Sequence, residues 1–308
     1  GRIHIEWQTH SLRFKNGDTI ELRKPTFSIK EAGYGPLPEN LEVSARIAPP
    51  MIGLGLLSAI KAEDLKSWSD PEDLNKDGIS GRLNWVLDVD NNALVPGRFG
   101  WKAGQPQLRQ QNAAAFSGDM GLTTTLFPEA HCQPSQTLCR ETVNGGEPEV
   151  SDKILDAVTF YSENLAVPPA RTDIDKDSVK AGEALFDQAN CGACHKARAT
   201  TGAHQNAWLS ERQIAPFSDL LLHDMGSGLA DQRSEFSANG QEWRTAPLWG
   251  IGYSQIVEPR STFLHDGRAR NLLEAILWHG GEAEPSQNKV LGMTPQERQD
   301  LINYIKTR

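Results

Sequence analysis

Apolar residues recur every three or four positions in several stretches of this 308-residue chain, a spacing that predicts amphipathic helices. The clearest stretch covers residues 178–190, where Leu185 and Phe186 share one face. Near the C-terminus, Thr294-Pro295-Gln296-Glu297 has the pattern of a capping box, which predicts that a second amphipathic helix begins there. Further helices are predicted over residues 107–116, 151–164 and 271–279.

The first part of the chain alternates apolar and polar residues instead. Residues 3–7, 12–14 and 19–23 follow this period of two, and Asn16-Gly17-Asp18 supplies a turn, so a small β-hairpin is predicted. Residues 49–165 are rich in Gly, Pro, Asn and Asp and show only weak periodicity. Pro168-Pro169 and the polar residues 171–178 predict a linker into the last part of the chain.

One pentapeptide carries the most specific chemistry, namely Cys191-Gly192-Ala193-Cys194-His195. Two thiols three positions apart can add across the vinyl groups of a porphyrin, and the imidazole that follows can bind the iron. A thioredoxin-like dithiol or half of a zinc site would use the same cysteines. A dithiol needs no following histidine, however, and the sequence has no second CxxC or HxxxH to complete a zinc site. Covalent c-type haem is therefore the expected cofactor.

Together, these patterns predict a mainly α fold in three regions. We expect a small β element at residues 1–48, a loop-rich α region at 49–170 and a cytochrome c-like haem domain at 171–308. In cytochrome c folds the helix before the cysteines crosses the C-terminal helix, so Gly182 or Phe186 should contact Tyr304. Helix packing without haem would give much the same contact.

Composition narrows the class of protein further. The chain is 38% hydrophobic and has no apolar run long enough to span a membrane. Its formal net charge of -9 argues against nucleic acid as the main partner. Because c-type haem is attached on the outer face of the bacterial inner membrane, we expect a periplasmic protein whose export signal is absent from this sequence.

A six-coordinate haem iron needs a second axial ligand. His279 closes the apolar face of the helix predicted at 271–279, just before Gly280-Gly281, and would point into a haem pocket; interaction with the helix dipole is the alternative explanation. Met225 is the main rival, because thioether ligation raises the potential of electron-transfer haems. Weaker candidates are His131, His204, His223 and His265.

Several long strings resemble the bacterial di-haem oxidoreductase family, whose members are often labelled thiol oxidoreductases and are related to di-haem cytochrome c peroxidases. They are PFSDLLLHDMGSGLAD at 216–231, EWRTAPLWGIG at 242–252 and FLHDGRARNLLEAILWHGGEA at 263–283. Upstream strings such as APPMIGLGLL at 48–57 extend the resemblance over nearly the whole chain. In that family an additional N-terminal haem domain carries its own CxxCH, and this chain begins where that domain would end.

The resemblance implies roles for individual residues. Cys191 and Cys194 match the thioether cysteines and His195 the proximal ligand, while His279 stands where relatives place the distal ligand. One haem is therefore expected here, in the electron-transfer half of a peroxidase-like enzyme. This reading places His279 ahead of Met225 as the distal ligand.

Four further residues are assigned to the haem surroundings by the same resemblance. Arg244 and Arg268 lie in pocket-lining strings, where a guanidinium can pair with a haem propionate, although ordinary surface roles are the alternative. Trp101 would lie between the two haems as an electron conduit with Lys102 in a polar network nearby; a buried structural tryptophan is the alternative.

A short acidic loop offers a candidate calcium site. Asp73, Asn75 and Asp77 precede Gly78 as in the first half of an EF-hand loop, but the twelfth position is Asn84 rather than Glu. Bound Ca²⁺ and an Asx-rich turn without a metal both fit this pattern.

The remaining cysteines, Cys132 and Cys139, are expected to form a structural disulfide in an oxidising compartment. A functional dithiol is the alternative, as is a metal site that includes His131.

The leading functional hypothesis is electron transfer within a di-haem peroxidase-like oxidoreductase. Its expected partners are the missing N-terminal haem domain and a redox protein or small-molecule oxidant. One alternative is a partner-binding module with a structural haem, and another is thiol-disulfide exchange through Cys132 and Cys139.

Overall fold

The computed structural model describes residues 1–33, 37, 39–134 and 136–308. Its α-helices are α1 (Leu54–Ser58), α2 (Ala62–Trp68), α3 (Leu108–Met120), α4 (Thr137–Glu141), α5 (Asp152–Asn164), α6 (Lys176–Gln188), α7 (Gly226–Leu229), α8 (Ser254–Val257), α9 (Leu272–Leu277), α10 (Glu284–Gly292) and α11 (Pro295–Lys306). Short 3-10 turns cover Cys191–Ala193, Ile251–Tyr253 and Gly281–Ala283. None of the helices described combines the length and apolarity needed to cross a membrane.

The strands pair locally into two-stranded antiparallel ribbons. They are β1 (Arg2–Arg13) with β2 (Thr19–Lys30), β3 (Trp85–Asp88) with β4 (Ala93–Pro96), β5 (Ala199–Thr200) with β6 (Gln213–Ile214), and β7 (Leu222–Asp224) with β8 (Glu242–Arg244).

The prediction of a mainly α fold is wrong. The structure is 33% helical and 17% strand, and short antiparallel ribbons occur along the whole chain. They also run through residues 171–308, where the structure does not identify the cytochrome c-like haem domain that was expected. Ribbons such as β7–β8 have three-residue strands some twenty positions apart. Strands this short do not produce a recognisable alternation of apolar and polar residues in the sequence.

The division into regions 1–48, 49–170 and 171–308 stays a prediction. Within the first region, residues 34–36 and 38 lie outside the described residues, and so does residue 135 between the two cysteines of the second region.

The hairpin β1–β2 is longer than its alternating pattern indicated. Its register runs from Arg2 opposite Lys30 to Arg13 opposite Thr19. The turn is closed by the Asn16 side chain, which accepts a hydrogen bond from the backbone N–H of Asp18 at 3.1 Å. Near this turn Phe14 and Leu22 are buried in the main apolar core, so the turn end of the hairpin is anchored to the rest of the chain.

The main core lies where α6 crosses α11. A Cβ on Gly182 would overlap the carbonyl oxygen of Asp300 and lie 2.7 Å from the Cβ of Tyr304, so only glycine permits this approach. The Phe186 and Tyr304 rings lie 5.3 Å apart. The contact predicted between these helices is therefore present.

Helix α11 begins as its sequence predicted. The Thr294 hydroxyl accepts a hydrogen bond from the backbone N–H of Glu297 at 3.2 Å, and the Glu297 carboxylate accepts one from the backbone N–H of Thr294 at 2.7 Å. This reciprocal pair is the capping box, and it satisfies two N–H groups that the helix leaves unpaired.

The crossing of α6 and α11 predicts a contrast between two glycines. We expect Gly182→Ala to destabilise the chain by about 1–3 kcal/mol, because the added methyl would overpack the crossing. Gly118→Ala in α3 is the matched control, since its Cβ would meet no atom within 4 Å. That control should stabilise the helix by about 0.5–1 kcal/mol. Urea unfolding measures both, and equal effects would contradict the close crossing.

Candidate functional site

The CxxCH segment follows α6 directly. Asn190 has a left-handed backbone with φ of 62°, which turns the chain out of the helix and into the 3-10 turn Cys191–Ala193. The backbone N–H of His195 then donates to the carbonyl of Cys191 at 3.0 Å. Both cysteines are free thiols and both are partly exposed. The helix thus delivers two thiols and one imidazole to one short turn.

Residues 217–219 hold this turn from the other side. The Nδ1 atom of His195 lies 2.8 Å from the carbonyl oxygen of Phe217. The backbone N–H of Ser218 donates to the carbonyl of Lys196, and that of Asp219 donates to the carbonyl of Cys194, both at 3.1 Å. These three hydrogen bonds fix the orientation of the His195 ring relative to the cysteines.

His279 lies just past the end of α9. The Asn271 side chain caps that helix by accepting from the backbone N–H of Glu274 at 2.9 Å. The Nδ1 atom of His279 lies 2.8 Å from the carbonyl oxygen of Ala275, one turn back. Its ring is therefore held by its own helix.

The two histidines share one chemical arrangement. A carbonyl oxygen only accepts, so Nδ1 of each ring carries the proton and Nε2 keeps a free lone pair. Burial lowers the pKa of His195 to about 4 and also lowers the pKa of His279, so both rings are neutral at pH 7. A neutral imidazole with Nδ1 held by a carbonyl is the usual state of a metal ligand.

Two buried donor groups have hydrogen-bonding capacity that a haem could use. The indole Nε1 of Trp278 is buried and has no hydrogen-bond partner among the described residues. The buried guanidinium of Arg244 donates only to the carbonyls of Gly100 at 2.8 Å and Thr245 at 3.2 Å, and no ion pair within the described chain includes it. Burial lowers the pKa of Arg244 to about 10, and the charge of Asp219 partly offsets that. An unpaired buried cation and N–H fit a cofactor with carboxylates such as haem.

Arg268 is placed differently from Arg244. Its Nη2 lies 2.6 Å from the carboxylate of Asp266, its Nη1 donates to the carbonyl of Gly228 at 2.5 Å, and its guanidinium lies 4.6 Å from the ring centre of Trp278. The structure pairs Arg268 with the carboxylate of Asp266. Pairing of Arg268 with a haem propionate therefore stays a prediction.

Trp101 belongs to an aromatic stack. Its ring meets that of His265 edge-on at 6.4 Å, and His265 stacks on Trp243 at 3.7 Å. Lys102 is fully buried, with Nζ 2.9 Å from the carboxylate of Asp231 and 4.5 Å from the Trp243 ring centre. Lys102 thus lies in a polar network, and the electron-conduit role of Trp101 stays a prediction.

The other candidate axial ligands, namely Met225, His204 and His131, lie in separate parts of the structure. Met225 contacts its neighbours through its backbone, donating to the Gln241 carbonyl at 3.1 Å. His204 accepts a hydrogen bond from the backbone N–H of Asn206, and His131 is exposed. The choice between His279 and Met225 stays a prediction.

The acidic loop is closed by its own hydrogen bonds. The Asp73 carboxylate accepts from the backbone N–H groups of Asp77 at 3.0 Å and Gly78 at 3.2 Å, and Asn75 accepts from Asp77 at 2.9 Å. Asn84, at the twelfth position, is buried and donates to the carbonyl of Lys102 at 2.7 Å. Calcium binding stays a prediction. The Asn84 side chain hydrogen-bonds to Lys102, outside the acidic loop.

The disulfide between Cys132 and Cys139 is confirmed. It joins Cys132, before α4, to Cys139 within α4, and most of the described residues between them are exposed.

Sequence reasoning missed a buried ionic cluster beside Cys194. The His223 ring lies between two carboxylates, with Nε2 3.0 Å from Asp219 and Nδ1 2.8 Å from Glu282. Burial alone would lower the pKa of His223, but the hydrogen bonds to Asp219, Cys194 and Glu282 outweigh it and raise that pKa well above its ordinary value. The sequence analysis considered His223 only as a haem ligand. No sequence pattern indicates that its ring contacts both Asp219, four positions earlier, and Glu282, 59 positions later.

Cys194, Asp219 and His223 also form a set of possible metal ligands, since their ligand atoms lie within 4.8 Å of one another. Both ring nitrogens of His223 face carboxylates, however, so neither has a free lone pair while the hydrogen bonds last. A thioether at Cys194 would also remove that sulfur as a thiolate ligand.

The comparisons with known proteins identify the class. The model of the family described as "Di-haem oxidoreductase, putative peroxidase" matches residues 1–308, so the chain belongs to that family. It is accordingly an oxidoreductase of a family whose cofactors are haems.

A solved structure of Kuenenia stuttgartiensis hydrazine synthase, pressurised with xenon, is similar to this chain at 18% identity. It covers 91% of this chain and 98% of its own, with a TM-score of 0.35. At that identity and TM-score, neither fold nor function can be transferred from it. No curated protein matches the chain.

The ion pair of Asp266 predicts a pH-dependent loss of stability in a variant. Burial alone would raise the pKa of Asp266, but hydrogen bonds with His265 and Arg268 outweigh it and hold that pKa well below its ordinary value. We expect Asp266→Asn to cost about 3–5 kcal/mol at pH 7, because Arg268 would be left buried and unpaired. Since the ordinary value is about 3.9, the stabilisation is complete above roughly pH 4 and is lost as the pH falls further.

Urea unfolding from pH 7 to pH 3 measures this difference. Asp119→Asn is the control, because that carboxylate is exposed and makes no ion pair with a described residue. Equal stability losses in the two variants at pH 7 would contradict a stabilising role for the pair.

Proposed function

We propose that this chain transfers electrons through one c-type haem attached to Cys191 and Cys194, with His195 as the proximal ligand and His279 as the distal ligand. The observation that carries the proposal is the shared state of the two rings. Each donates Nδ1–H to a backbone carbonyl and keeps Nε2 free, in a chain whose CxxCH supplies two free thiols.

Bound haem would supply one-electron redox chemistry at its iron. The chain's own residues would orient the two histidine rings and hold the cofactor. The Phe217 and Ala275 carbonyls fix the two rings, while Arg244 and the indole N–H of Trp278 offer donors to the carboxylates of the cofactor. If both histidines bound its iron, the haem would have a low potential, which would suit electron transfer better than peroxide binding.

The peroxide-reacting part of a peroxidase-like enzyme would then lie elsewhere. One CxxCH motif provides one covalent attachment site, so the second haem of a di-haem enzyme requires a further haem domain as partner. Its substrate would be a small-molecule oxidant or a redox protein. A periplasmic location is part of the proposal, because haem c is attached there and the disulfide Cys132–Cys139 is typical of oxidising compartments.

The first test is a visible spectrum of the chain exported together with a haem c maturation system. We expect a low-spin c-type spectrum that becomes high-spin in His279→Ala, because that variant leaves one axial position without a protein ligand. His131→Ala is the matched control, since His131 is exposed, and its spectrum should not change.

An unchanged spectrum in His279→Ala would transfer the ligand role to Met225. Absence of covalent haem in the wild-type chain would contradict the proposal and return the CxxCH segment to the dithiol or zinc readings.

Thiol-disulfide exchange is the second candidate, and the double variant Cys132→Ser/Cys139→Ser tests it. We expect reversible haem redox at the wild-type rate, with a stability loss of about 2–3 kcal/mol from the opened loop. The CxxC pair is a poor alternative nucleophile, because burial raises the pKa of the Cys191 thiol to about 12. Loss of electron transfer in the double variant would favour the dithiol function.

A structural-haem module that docks a partner is the third candidate. It would be favoured if a Cys191→Ala/Cys194→Ala variant, which cannot attach haem, still bound the further haem domain at wild-type affinity.

A further inference from the structure

The cluster of Asp219, His223 and Glu282 holds fixed charges inside the protein. Their side chains are 2%, 4% and 11% exposed. A carboxylate only accepts, so both His223 nitrogens must carry protons to donate to Asp219 at 3.0 Å and Glu282 at 2.8 Å. The cluster is thus one imidazolium between two carboxylates, with a net charge of about −1.

Further hydrogen bonds lock each carboxylate. Asp219 also accepts from the backbone N–H of Leu221 at 3.0 Å. Glu282 accepts from the hydroxyl of Ser80 at 2.6 Å and from its backbone N–H at 3.1 Å. Gly81 leaves room for the imidazole, since a Cβ there would lie 2.7 Å from Cε1 of His223. The charges are therefore preorganised rather than free to move with the solvent.

The cluster touches the attachment segment at Cys194. Nδ1 of His223 lies 3.7 Å from the sulfur of Cys194, and the backbone N–H of Asp219 donates to the carbonyl of Cys194 at 3.1 Å. A haem bonded to that sulfur would have its edge beside these charges. No ion pair of the described residues offers the cluster another cation, and the Arg244 guanidinium interacts with the charge of Asp219 only from beyond ion-pair distance.

We propose that Asp219, His223 and Glu282 form a positioning element whose fixed charge sets the reduction potential of a haem attached through Cys194. This inference rests on the proposed function above. The cluster exchanges neither protons nor electrons. Oxidised haem carries one more positive charge than reduced haem, so a net negative cluster favours the oxidised form and lowers the potential.

The test is a spectroelectrochemical titration of the haem-loaded chain and four variants at pH 7. Glu282→Gln removes a negative charge and should raise the potential, whereas His223→Gln removes the positive charge and should lower it. Each shift should change the equilibrium constant for reduction by a reference dye on the order of tenfold, as expected for a charge near the haem in a partly shielded site. Asp219→Asn should shift the potential in the same direction as Glu282→Gln.

Glu284→Gln is the matched control, because it removes the same charge two residues away at an exposed position. Its potential should equal that of the wild type. Thermal unfolding of each variant supplies a readout independent of redox chemistry, in which Glu282→Gln should melt below Glu284→Gln because it breaks a buried pair.

Shifts of opposite sign for Glu282→Gln and His223→Gln support the inference, since a purely structural role would move both potentials in one direction. Shifts of the same sign, or a Glu282→Gln potential equal to that of Glu284→Gln, would overturn it. If His223→Gln does not fold, the reduction potentials of Glu282→Gln and Glu284→Gln are compared instead. A higher potential for Glu282→Gln then supports the inference, and equal potentials overturn it. A wild-type chain without covalent haem would instead overturn the proposed function, which is a separate outcome in the same spectra.

Discussion

The hydrogen bond between the Phe217 carbonyl and Nδ1 of His195 links the apolar core to the chemistry of the site. Phe217, which supplies that carbonyl, has a left-handed backbone with φ of 52°, a conformation that costs about 1–3 kcal/mol outside glycine. Burial of the Phe217 ring offsets that cost, because the ring packs edge-on against Phe186 at 6.1 Å and Tyr304 at 6.3 Å. Those two rings meet only because Gly182 lets α6 approach α11. The helix crossing is thus connected, through Phe217, to the hydrogen bond that orients the His195 ring.

Local sequence determines some of these features and long-range contacts determine the others. The capping box at Thr294 and the disulfide Cys132–Cys139 each depend on residues within seven positions, so the sequence was sufficient to predict them. Their physical causes, thiol spacing and helix-end hydrogen bonding, are themselves local.

The fold class and the ionic cluster could not be predicted in this way. The ribbon β7–β8 pairs Leu222 with Arg244, and the strands are too short for a period-two pattern to be seen. His223 finds Glu282 only after the chain has passed through α9. The role of Arg268 could not be predicted for a similar reason. The sequence does not distinguish an arginine that lines a pocket from one that is paired with a neighbouring aspartate.

The backbone that follows His279 packs against β7, the strand that comes shortly after residues 217–219, which hold His195. Gly281, two residues after His279, has φ of 54°, and a Cβ there would overlap the carbonyl oxygen of Asp224. The backbone N–H of Asp224 in turn donates to Glu282 at 3.4 Å. His279 is therefore fixed by α9 before it and by this close packing after it. On the proposed ligation, displacing His279 from the iron would require moving backbone that the β7–β8 ribbon holds. A ligand so constrained would suit a haem that keeps both histidines and exchanges electrons, rather than one that releases a ligand to bind a substrate.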